Sequence, residues 1–361
     1  MRYLLVLFIL FSFAADTQSA MGVSPSEWMV QLSVDGEPIE GWPLVWDTRS
    51  VHLLARDGSL RDFAPEAAKD FRKTADVFRS YTPSEFRAVL LRELGQSYEV
   101  SGTGHYLVAH PRGQRDRWAQ RFEDLYRALV HYFSVRGFQL GEPRFPLVAV
   151  VGRNRQEFAR YSANQGSPVN SGVLGWYSWQ SNRILIYDAD GGSSSRDNWE
   201  ETAATLIHEA THQTAFNTGI HSRYAVPPVW VAEGVATLFE APGVYNSRFH
   251  PSRSDRINRG RLRQFQQLVP QHRPELIRDL VASDRLFRAS PAAAYAEAWA
   301  LTFYLVETDA RKYAAYLGRT AGYPAFHEIA AEERLADFTT VFGDDWRMLE
   351  AKLLRFLGSV K

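Results

Sequence analysis

Two apolar stretches of this chain each carry charge that cannot be left alone in a core, and a fold that buries both must bring those charges together. The first runs from Ala203 through Ile207 into His208, Glu209, Ala210, Thr211 and His212. On a helix, residues four apart share a face, so the two imidazoles can converge on one ion at about 2.0–2.1 Å while Glu209 is turned toward a remaining coordination position. That geometry suits a water held between ion and carboxylate. Two histidines and a glutamate on a buried helix need partners to offset their desolvation, and the alternative to a metal is a hydrogen-bonded pair of core histidines. The second stretch runs from Pro228 to Leu238, where Glu233 is the only charge among eleven otherwise apolar or small residues. Pro227 and Pro228 suit the start of a helix. A carboxylate in that setting calls for a cation: a metal shared with His208 and His212, or an arginine from elsewhere. His221 is a rival third ligand, but it follows Gly219, a helix-ending residue, in a polar loop.

The chain has 361 residues, 45% of them hydrophobic, and no cysteine. Disulfides and thiolate metal sites are therefore excluded, and any metal ligand is histidine or carboxylate. Lysine plus arginine equals aspartate plus glutamate at 41 each, which leaves no net field to recruit nucleic acid or an anionic membrane surface. Other chemistries find no support. Ala215 and Thr218 stand where a metzincin needs glycine and histidine, and no G-x-S-x-G nucleophile elbow occurs. Gly102, Thr103 and Gly104 lack the rest of a dinucleotide fingerprint. Asp188 to Gly192 begins like a calcium loop but has Trp199 at the twelfth position, so it reads as a turn.

Met1 and Arg2, followed by an apolar and small run from Tyr3 to Ala15, read as an export signal, because thirteen residues at about 1.5 Å each cannot cross a bilayer of about 30 Å. Residues 1–20 are expected to be removed, leaving no membrane span in a periplasmic or extracellular protein. Residues 21–97 then form a small accessory module, with strands at 27–34, 43–46 and 51–54 and a charged helical stretch over 65–94. Strand and helix alternate through residues 98–245, and helices fill residues 246–361. The fold class expected is α+β. The strand at residues 183–187 is the candidate sheet edge on which an extended peptide would lie by strand addition.

The sequence His208, Glu209, Ala210, Thr211, His212 followed by Trp230, Val231, Ala232, Glu233, Gly234, Val235, Ala236 resembles the two-helix zinc signature of gluzincin peptidases. The stretch from about Asp35 to Glu240 resembles a family of exported bacterial proteins of unknown function with a peptidase-MA-like core. The resemblance implies a zincin-like catalytic domain and one zinc ion held by His208, His212 and Glu233. It also implies Glu209 as general base, and a peptide or protein as substrate. Gluzincins often place an acid four residues after the ligand glutamate to orient the first histidine; here that position is Thr237, and Glu240 or Glu201 is left to take the role. The family also uses a tyrosine or histidine from a later helix to stabilise the oxyanion, and Tyr295 is similar in placement. The competing expectation is that Tyr295 packs on Trp299 one turn away. Two rival functions are a non-catalytic zinc-containing envelope protein and a zinc amidase acting on cell-wall material.

Overall fold

The computed structural model describes residues 27–360, apart from 114, 166–168, 170–171, 188–195 and 272–274. The expected signal segment and the turn beginning at Asp188 lie outside the described residues, as does the side chain of Glu201. The fold is α+β, with two five-stranded sheets followed by a helical C-terminal part.

The first sheet is built from β1 (Met29–Val34), β2 (Glu37–Trp46), β3 (Val51–Ala55), β4 (Leu60–Phe63) and β5 (Ala68–Ala75), in the order β4-β3-β2-β1-β5. Asp35 and Gly36 both take positive φ, 53° and 85°, the backbone of a tight hairpin turn that an Asp-Gly pair favours. The sheet corrects one expectation. Residues 65–94 are not one helix: Pro65–Ala67 make a single 3-10 turn, Ala68 to Ala75 form the antiparallel edge strand β5 against β1, and the α-helix is Pro83–Leu94 (α1). The charges of β5 are exposed, so a strand accommodates them, and the helix waits for a proper start: the capping box of Thr82 with Glu85, followed by Pro83.

The second sheet comprises β6 (Tyr98–Gly102), β7 (Tyr106–Pro111), β8 (Leu147–Gly152), β9 (Gly175–Ser178) and β10 (Arg183–Tyr187), in the order β6-β7-β8-β10-β9. Between them run α2 (Arg115–Ser134) and α3 (Arg155–Asn164), and after them α4 (Arg196–Thr218) and α5 (Val229–Phe239). One face of this sheet packs Val108, Ala149 and Ile184 under Phe122 of α2 and Leu206 of α4; the other packs Ala109, Val150 and Leu185 against Phe86 of α1 and Phe158 of α3. Here a second expectation fails. Residues 183–187 are not the sheet edge: β10 lies between parallel β8 and antiparallel β9, and the edge beyond it is β9. All five residues of β10 are buried, as befits a strand covered on both faces, whereas Trp176 and Tyr177 of β9 are half-buried.

The C-terminal part consists of α6 (Pro242–Tyr245), α7 (Arg259–Leu268), α8 (Leu276–Ala282), α9 (Arg285–Ala289), α10 (Pro291–Thr308), α11 (Ala310–Ala321), α12 (Ala331–Phe342) and α13 (Trp346–Ser359). These helices form one apolar core with α5, centred on Trp230, Trp299, Tyr313, Tyr316 and Phe338. The approach of α10 to α5 is close because Gly234 allows it: a Cβ there would sit 2.1 Å from Thr302 Oγ1. Every residue of α5 is buried. No described helix is long and apolar enough to cross a membrane.

Candidate metal centre

α4 packs Leu206 and Ala210 onto the second sheet and delivers His208, Glu209 and His212 to the junction with α5. It stops at Thr218 because Gly219 takes φ 90°, a left-handed value that glycine adopts without strain. The chain then turns through Pro227 and Pro228 into α5, which brings Glu233 opposite the two histidines. All four side chains are buried, His208 and Glu233 completely.

The Nε2 atoms of His208 and His212 stand 3.1 Å apart, and the Glu233 carboxylate lies 3.3 Å from the first and 3.6 Å from the second. Donor atoms of the three residues all fall within 4.8 Å of one another. Four donors around zinc at about 2.0–2.1 Å are separated by about 3.3 Å along each edge of their tetrahedron, so the spacing fits such an ion. The donor set fits as well: two imidazoles and a carboxylate whose oxygens accept no well-formed hydrogen bond among the described residues. An oxygen pair left that way in a core costs about 1–3 kcal/mol per group, which a bound cation would offset. Without an ion, the cluster holds itself together by charge. Burial opposes a charge on His208, but its contacts with Glu233 and Glu240 outweigh it and hold the imidazole up at about 10. Burial likewise opposes ionised Glu233, but the two histidines hold its carboxyl down at about 2.

The outer contacts differ from those of the gluzincin signature described above. Thr237 does not orient a histidine; its hydroxyl donates back to the Glu233 carbonyl at 2.6 Å. Glu240 takes the role instead, its Oε1 standing 2.9 Å from His208 Nδ1. Seven residues past Glu233 is two turns along the same helical face, so the substitution preserves direction while moving the acid outward. Glu240 is held in turn by Asn258, which donates to Oε2 at 2.7 Å and to the Thr237 carbonyl at 3.0 Å, and by Arg261 at 3.7 Å. Asn258 and Arg261, which flank the start of α7, are not foreseeable from spacing. The one hint is that Asn258 occupies an N-cap position, where it accepts from the Arg261 N–H.

Glu209 faces the edge strand. Its Oε2 accepts a 2.7 Å hydrogen bond from the backbone N–H of Tyr177 in β9, while Oε1 has no hydrogen-bond partner among the described residues. Burial, the largest influence, raises its carboxyl above the ordinary range, with the histidines pulling the other way. Tyr295, on α10, stands over the same junction. Its ring lies 6.5 Å from that of His208 and 5.5 Å from that of Phe287, and the Arg261 guanidinium sits 5.0 Å above it. Burial, reinforced by the nearby charge of Glu233, pushes its hydroxyl pKa well up. Trp299, one turn further along the helix, stacks on Phe303 at 5.3 Å. His221 sits in the loop between α4 and α5, but its ring is buried against Phe216, and burial together with His212 pushes it down to about 3. The ligand cluster found among the described residues does not include it.

Residues 202–327 match a family described as "Protein of unknown function (DUF1570)". No curated protein matches the chain. Among solved structures it is similar to an M1 zinc metallopeptidase from Deinococcus radiodurans with a bound Tyr-Ser-Ala substrate, at 14% identity and TM-score 0.37, covering 74% of this chain and 52% of that one. It is also similar to a two-domain M1 zinc metallopeptidase bound to L-arginine, at 13% identity and TM-score 0.38, covering 70% of this chain and 48% of that one. The chain thus spans about half the length of these metallopeptidases.

Proposed function

We propose that the protein is a zinc-dependent metallohydrolase that cleaves peptide bonds, with His208, His212 and Glu233 as the ligands of one zinc ion and Glu209 as the general base. The observation that carries this is the convergence of donor atoms of His208, His212 and Glu233 within 4.8 Å in a fully buried setting, beside a glutamate whose Oε1 accepts no hydrogen bond among the described residues. A zinc ion held there supplies Lewis-acid polarisation of a carbonyl and acidifies water toward a pKa of about 7. The rest belongs to this chain. The Tyr177 N–H fixes one oxygen of Glu209 and leaves Oε1 to take a proton from the attacking water and pass it to the leaving amine. The Tyr295 ring lies 6.5 Å from that of His208, and its hydroxyl would donate to the substrate's carbonyl oxygen as charge develops. β9 is the edge along which an extended peptide would lie, because among the described residues its outer side has no strand partner.

The proposal includes export to the periplasm or the extracellular space, supported by the apolar run at residues 3–15. The test of function is direct. Purified protein should carry close to one zinc per chain and cleave members of a broad peptide library. Glu209→Gln should keep the zinc while turnover falls by about 10²–10⁴-fold, the usual contribution of a general base. Hydrolysis of cell-wall amides with no peptide cleavage would reassign the substrate, and full turnover by Glu209→Gln would overturn the mechanism.

A further inference from the structure

The helix that carries Glu233 has no cap of its own. The residue at its N-cap is Pro228, which offers no side-chain acceptor; its carbonyl takes the Val231 N–H at 2.9 Å, but the N–H of Val229 is left needing an acceptor in a buried helix. The acceptor arrives from elsewhere. Asp284 Oδ1 accepts the N–H of Val229 at 3.0 Å, across 55 residues of chain. Asp284 immediately precedes α9, where an aspartate would ordinarily cap its own helix, yet its carboxylate makes no such bond there. It is turned away toward α5 and held in that direction by Arg334 of α12, whose Nη1 donates to the same oxygen at 3.0 Å. Both side chains are buried, Asp284 to 8% exposure and Arg334 to 4%.

We propose that Asp284, braced by Arg334, is a positioning residue for the third metal ligand, so that the C-terminal helices set how tightly the centre holds its ion. Glu233 is four residues past Val229, about 6 Å along the helix axis, so α5 cannot slide or rotate at its start without displacing the ligand carboxylate. The mid-helix contact of Gly234 with Thr302 limits sideways movement of α5. The cap limits movement along its axis. An anionic acceptor at a helix start also opposes the positive end of the helix dipole, which makes this cap stronger than a neutral one. The inference rests on the metal reading above and names what tunes it.

Two substitutions separate positioning from plain stability. Asp284→Ala removes the acceptor, while Asp284→Asn keeps an oxygen for the Val229 N–H and gives up the ion pair with Arg334. Both variants should melt earlier. Zinc affinity, measured by competition with a chelator at a temperature where both are folded by circular dichroism, should part them: about 10–100-fold weaker in Asp284→Ala, the range for losing an outer contact, and within about threefold of wild type in Asp284→Asn. Wild-type affinity in Asp284→Ala overturns the proposal, and so does an equal loss in both, because the ion pair rather than the cap would then be responsible. If Asp284→Ala does not fold, amide exchange at Val229 in the wild type decides the same point: zinc should slow it, by reciprocity of the coupling, and exchange indifferent to zinc overturns the proposal. A wild-type chain that takes up no zinc fails at an earlier point, showing the metal reading itself to be wrong, and is recognised without any variant.

Discussion

Among the described residues, two constellations each set a histidine between carboxylates, and one of the two has the marks of a metal site. Beside α2, His105 lies 3.0 Å from Glu123 through Nδ1 and 3.6 Å from Glu142 through Nε2, with its ring stacked on Tyr126 at 3.9 Å. Glu123 is as buried as Glu209, yet its oxygens are fully engaged: the Thr103 hydroxyl at 2.9 Å, the His105 N–H at 3.1 Å and Arg127 at 2.9 Å. Glu142 is largely exposed. In the His208 constellation the residue types are similar, but two imidazoles aim their Nε2 atoms at one point and the Glu233 oxygens accept no well-formed hydrogen bond. Residue type is therefore a poor guide to which cluster is built to hold an ion. A network whose hydrogen bonds are complete is a brace; one that is incomplete and convergent waits for an ion.

The comparison is broken most sharply by removing the central carboxylate from each. Glu233→Ala should reduce zinc from close to one per chain to a small fraction by elemental analysis, while Glu123→Ala should leave it unchanged; zinc retained by the first would erase the distinction. Tyr295→Phe should keep the zinc and lower kcat by about 10²–10³-fold with KM little changed, the signature of a donor used only in the transition state. A rate within a factor of a few of wild type would return Tyr295 to packing alone. Glu240→Gln should weaken zinc by about 10–100-fold in chelator competition, since its amide cannot hold His208 as an anion does. The smallest effect belongs to the brace. Burial raises the Glu123 carboxyl, but His105, Thr103 and Arg127 outweigh it, so its folded pKa lies below the ordinary 4.5. Its stabilisation is thus complete above that value and is lost as pH falls through the lowered one. The gap in melting temperature between wild type and Glu123→Gln, corresponding to about 1–3 kcal/mol at neutral pH, should close as the solution is acidified below about 4.5. A gap independent of pH would show that Glu123 stabilises by shape alone.

Most of the centre is legible in sequence because its information is local. The histidine spacing follows from one helix, and Glu233 stands out because its neighbours are apolar over a full helical length. Glu240 comes into view because it closes the same helix. Asn258, Arg261 and Asp284 do not, since each reaches the centre only through tertiary packing of helices that sequence places in no particular order. The sheet edge fails for a related reason. A strand such as Arg183–Tyr187, apolar through its centre, signals cover on both faces, which argues for the interior of a sheet rather than its rim. The strand β5 is hidden by its charges, which suggest a helix until the partner strand β1 is known. His221 reads as a polar-loop residue, and only the fold shows its ring against Phe216.

Arg223 donates to the carbonyl of Gly58, in the turn between β3 and β4, at 2.6 Å, and to the carbonyl of Trp179, in the turn after β9, at 2.7 Å. Leu60 donates to the carbonyl of Gln180 at 2.7 Å, and Phe145 and Tyr224 pack with Met29, Leu44 and Leu54 of the first sheet. The first sheet is consequently not a detachable leader. A chain cut back to the second sheet and the helices after it would keep His208, His212 and Glu233 but strip an acceptor from a buried guanidinium and bare an apolar face, so the expected product of such truncation is an insoluble protein.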